Sequence, residues 1–105
     1  MNDDNIKEIR EKKLQIKIIV EPEIGQGKFS NMANISHSIE EFSLDFMYIN
    51  PSPPAFGKMV SRVIMTPGHL KRFFTALQDN LAKYEEKFGE IKIKEDPNLD
   101  VGKIN

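Results

Sequence analysis

Apolar and polar positions along this chain follow two different periods. Between Leu14 and Met65 the repeat is two; between Thr66 and Gly89 it lengthens to steps of four and three. Leu14–Glu21 (LQIKIIVE) alternates, with Leu14, Ile16, Ile18 and Val20 on one face, and β-branched residues dominate it. This is the pattern of a strand. Phe29–Ser38 alternates more weakly, with Phe29, Ala33, Ile35 and His37 on one side and Met32 on the other. Phe42–Ile49 carries Phe42, Leu44, Phe46 and Tyr48 on a single face, and Lys58–Met65 completes a set of four strands. Gly25 and Gly27 mark a turn after Pro22, a polar segment around Ile39–Glu40 marks another, and Asn50–Gly57, with three prolines, reads as a stiff extended loop.

Thr66–Gly89 then predicts one long amphipathic helix. Leu70, Phe74, Leu77, Leu81, Tyr84 and Phe88 share a stripe. Thr66 suits the N-cap, Pro67 the first helical position and Gly89 the C-terminal stop. Together the periods predict an α+β domain: a four-stranded antiparallel sheet followed by one long C-terminal helix packed on one face. The expected domain spans 14–91, with flexible segments at 1–13 and 92–105; Glu90–Lys94 could add a short edge strand.

Pairing follows from keeping faces unmixed. Folding the third strand on the fourth opposes Phe42 with Met65, Leu44 with Val63, Phe46 with Ser61 and Asp45 with Arg62, and Met47 with Val60. Folding the second on the third opposes Ile35 with Leu44, Ala33 with Phe46 and Met32 with Met47. The first strand fits beside either the second or the fourth.

The chain has 105 residues, the size of one domain, with a net charge of -1. That balance argues against a general nucleic-acid binder. Without cysteine there is no disulfide framework, thiolate metal site or cysteine nucleophile, and two separate histidines make no zinc site. No apolar run reaches the roughly 20 residues of a membrane span. The acidic, polar beginning lacks the regions of a signal peptide, which points to the cytoplasm. No metal, nucleotide or triad constellation is present, so no catalytic residue, cofactor or metal site is assigned and an enzyme is not expected.

Two surfaces remain as candidates. One helix covers one side of a sheet, and the opposite side would carry Ile19, Met32, Met47, Ile49, Val60 and Ile64. Partly apolar and methionine-containing, that face suits a protein contact. Arg62, His69, Lys71 and Arg72 gather near the helix start, where free N–H groups favour anions, an alternative reading as a phosphate or nucleic-acid site. The leading expectation is a non-enzymatic protein-interaction domain that self-associates as a dimer or tetramer, with another protein as a further partner.

Four stretches carry a family resemblance: FSN at Phe29–Asn31, EFSLDF at Glu41–Phe46, SRVIMTPGHLKRF at Ser61–Phe73 and ALQDNLAKYEEKFG at Ala76–Gly89. Over Leu14–Ile91 the chain resembles a small uncharacterised prokaryotic family of about this length, whose members often have Tyr where Phe29 stands and a residue other than Gly at position 68. The element order is also similar to that of the SecB export chaperone. That similarity implies an antiparallel sheet and oligomers but not chaperone activity, because fold does not fix function; chaperone-like capture of unfolded segments is a narrower version of the interaction-domain expectation. The family supplies no catalytic residues.

Overall fold

The structure, a computed structural model, describes residues 14–94. The segment at 1–13 and the part of the tail beyond 94 lie outside the described residues. A single helical turn, α1 (Pro22–Gly25), precedes three strands, β1 (Met32–His37), β2 (Phe42–Asn50) and β3 (Phe56–Met65), and the helix α2 (Pro67–Phe88). The strands form one antiparallel sheet in the order β1-β2-β3.

The register matches the unmixed-face argument at every pair but one. β1 opposes β2 through Ile35–Leu44, Ala33–Phe46 and Met32–Met47. β2 opposes β3 through Phe42–Met65, Leu44–Val63, Phe46–Ser61 and Asp45–Arg62. The exception is Met47, which pairs with Met59 rather than Val60 because the ladder slips between Phe46 and Met47. The slip is a bulge that leaves Val60 as the extra residue. It lets the ladder continue to Asn50–Phe56, so the connecting loop shrinks to Pro51–Ala55. Ser38 closes the other hairpin: its N–H donates to Glu41 O at 2.9 Å, and its Oγ accepts from the Glu40 and Glu41 N–H groups.

Just before β1, side chains extend the ladder. Asn31 Nδ2 donates to Ile49 O at 2.9 Å while Asn31 Oδ1 accepts from Ile49 N–H at 2.8 Å. Ser30 Oγ donates to the carbonyls of Met32 and Met47. The Ile49 N–H and carbonyl, which lie past the end of β1, thus find partners. The front face carries Phe42, Leu44, Phe46 and Tyr48, and Tyr48 holds Phe29 and Phe56 edge-on at 6.1 and 6.3 Å. Leu44, on the central strand, is the most buried hydrophobic residue among the described residues, at 4% exposure.

Two expectations are corrected here. Among the described residues the sheet has three strands, not four: Leu14–Glu21 enters no ladder there, and Ile16, Ile18, Ile19 and Val20 are all exposed. Alternation and β-branching give that segment strand propensity, but a strand exists only against a partner edge. Glu90–Lys94 likewise adds no strand. The second correction concerns packing. α2 starts where expected, with Thr66 Oγ1 accepting from His69 N–H and Gly89 at φ 97° ending it. Yet no residue of α2 is buried, and along the stripe Phe74, Leu77, Leu81, Tyr84 and Phe88 stay exposed. An amphipathic period states which residues seek burial, not which surface buries them.

Candidate interaction surface

The connection from β3 to α2 is one residue, Thr66, with extended backbone. The helix therefore begins at the edge of the sheet's front face. Its first three turns bring Leu70, Phe73, Phe74 and Leu77 towards Ile35, Phe42 and Leu44, and a groove of about 480 Å3 remains between the two layers. Among the described residues Lys71 is the one charged side chain lining it. Leu70 and Phe73 are half-buried; Phe74 and Leu77 are open. Beyond Leu77 the stripe leaves the groove. Leu81 is 45% exposed and Phe88 65%. Tyr84 and Phe88, one turn apart, meet in a tilted contact with ring centroids 4.9 Å apart.

The reverse face is less bare than the alternation suggests. Met32 is 6% exposed, Met47, Ile49 and Val60 are half-buried, and Ile64 is exposed. Ile19 belongs to the unpaired segment, at 81% exposure, and is not in the sheet with the other five. In the middle of this face Asp45, itself buried, accepts two hydrogen bonds from Arg62: Nε to Oδ1 at 2.7 Å and Nη2 to Oδ2 at 3.1 Å. The bonded, charged guanidinium holds the Asp45 carboxyl below the usual carboxylate range, against the opposing effect of desolvation. The same bond raises the Arg62 guanidinium.

This ion pair separates the four residues proposed as an anion site near the helix start. Arg62 is committed to Asp45 on the reverse face, whereas Lys71 lines the groove at the front. Arg72 lies near Gly68, where an added Cβ would stand 3.6 Å from Arg72 Nη1, and the His69 backbone N–H is taken by Thr66. Among the described residues no group of three or more His, Asp or Glu is placed to hold a metal ion, and no helix is long and apolar enough to cross a membrane.

The groove was not read from the sequence. The signal for it was present in Phe73, which lies beside the stripe and widens it at the start of α2. Both phenylalanines line the groove, Phe73 half-buried and Phe74 more open at 55% exposure.

Sheet, helix and register define an α+β domain: a three-stranded antiparallel sheet with a C-terminal helix. The chain belongs to the family described as protein of unknown function DUF3467, whose model matches residues 1–93. Searches of curated proteins and of solved structures returned no match.

Proposed function

We propose that this chain is a non-enzymatic protein-interaction domain of the cytoplasm that works as a self-associated dimer or tetramer. One observation carries the reading: the α2 stripe lies open from Phe74 to Phe88 beside an unfilled apolar groove. Apolar surface of that extent and continuity is where soluble proteins meet partners. The unpaired Leu14–Glu21 segment supports it as well. Its strand pattern is complete, and the outer edges of β1 and β3 have no neighbour among the described residues. On association it takes one of those edges as the fourth strand, which gives the SecB-like order of elements.

Light scattering on the full chain over a range of concentrations tests the reading. A mass of two or four chains is expected; a single chain at every concentration refutes it.

A further inference from the structure

We propose that two copies of this chain pair through antiparallel α2 helices, each laying the second half of its stripe into the other's groove. This deepens the self-association reading and rests on it. The two halves of α2 differ in a complementary way. Residues 67–77 form one wall of a groove, with Ile35, Phe42 and Leu44 opposite. Residues 81–88 carry an apolar ridge, Leu81, Tyr84 and Phe88, outside that groove. Only an antiparallel arrangement sets ridge against groove in both copies at once, and it is a closed two-fold interface, as homodimers prefer.

The heptad pattern fixes the register. With Phe74, Leu81 and Phe88 at a and Leu70, Leu77 and Tyr84 at d, antiparallel layers match when paired residue numbers add to a constant. One register uses the whole stripe: Leu77 faces Leu81 of the second copy, Phe74 faces Tyr84 and Leu70 faces Phe88. The two-fold axis then passes level with residue 79. The flanks agree with this choice. Lys71 and Glu85 occupy equivalent flanking positions, and the same register places Lys71 of each copy beside Glu85 of the other. Gln78 meets its own copy on that side and Asn80 on the other. Lys87 lies opposite Phe73, an acceptable partner for its alkyl stem. A parallel pair would instead bring Tyr84 against Tyr84 and leave Lys71 without an acidic partner on the second helix. Antiparallel helices also place each positive N-terminal end beside the negative end of the other.

The area reaches the lower end of the standard range, about 1,200 Å2 in total. At their observed exposures, Phe74, Leu77, Leu81, Tyr84 and Phe88 with Ile35 and Val63 offer roughly 600–700 Å2 per chain, against about 800 Å2 per partner in a standard interface.

Charge exchange tests the pairing. Lys71→Glu and Glu85→Lys are each expected to weaken the dimer about tenfold in sedimentation equilibrium, since two attractive contacts become repulsive. The double variant, and an equimolar mixture of the two single variants, should both regain wild-type affinity to within about twofold. Glu85 Oε2 also accepts the Ile91 N–H at 2.9 Å. The mixture controls for losing that bond, because it still contains the Glu85→Lys chain. Spin labels supply an independent measure after Gln78→Cys or Lys71→Cys in this cysteine-free chain. Labels at 78 should approach each other, whereas those at 71 should stand about 24 Å apart along the axis. Dimers whose single variants weaken without rescue, or whose affinity ignores both charges, overturn this pairing and leave self-association standing. A wild-type monomer at all concentrations overturns both.

Discussion

Leu44 and Leu81 are both leucines on apolar faces, and truncating them should do opposite things. Leu44→Ala removes a side chain that is 4% exposed on the central strand. A cavity there is expected to cost about 2–5 kcal/mol of folding stability. That is a large share of the roughly 5–15 kcal/mol available to a domain. Leu81 is 45% exposed on a helix with no buried residue. Its truncation in a dilute, dissociated chain should move stability by less than about 1 kcal/mol, as for other surface changes. Association is where Leu81 acts. Full burial of a leucine yields about 1.5–3 kcal/mol, so nearly half remains to be gained, roughly 1 kcal/mol per copy. A two-fold interface counts it twice, and truncation should raise the dimer Kd by about 10- to 30-fold. Urea titrations at two protein concentrations separate the cases. Leu44→Ala should lower the midpoint at both concentrations. Leu81→Ala should lower it mainly at the higher one, where wild-type association adds stability. If Leu81→Ala destabilises the dilute chain as strongly as Leu44→Ala, the stripe belongs to the core of a single chain and the reasoning fails.

Other substitutions probe the fold itself. Thr66→Ala removes the acceptor for the His69 N–H and should cost about 1 kcal/mol, whereas Thr66→Ser should be nearly neutral. Gly57→Ala places a Cβ 2.7 Å from Ile49 Cδ1. The clash is with the end of a flexible side chain, so a loss of about 1 kcal/mol is expected, recovered largely by adding Ile49→Val. The Asp45–Arg62 pair should show in the pH dependence of stability. Because the folded carboxyl titrates below its unfolded value, its contribution is complete above the unfolded pKa of about 3.9. It is lost as pH falls through the lower folded pKa. The difference in urea midpoint between wild type and Asp45→Asn should therefore shrink on acidification below pH 4 or so; a constant difference would show that the charge is not responsible.

Much of the architecture follows from local rules. The hairpin registers were legible because Phe42, Leu44 and Phe46 tolerate no slip without mixing faces, and because Asp45 then lands opposite Arg62. The α2 limits were legible because Thr66, Pro67 and Gly89 act within a single turn. The bulge at Val60 was not, since it depends on how the Pro51–Ala55 loop closes rather than on alternation.

What the sequence determined alone is which residues seek burial and which local geometry they take, because the strand period of two and the helix period of about 3.6 are properties of the backbone. Whether Leu14–Glu21 finds an edge, and whether the stripe finds a sheet, depends on surfaces brought together from elsewhere. Tertiary structure decided both, leaving one strand pattern unpaired and one helix face open. Burial and strand pairing are relations between segments, and no single segment contains its own partner.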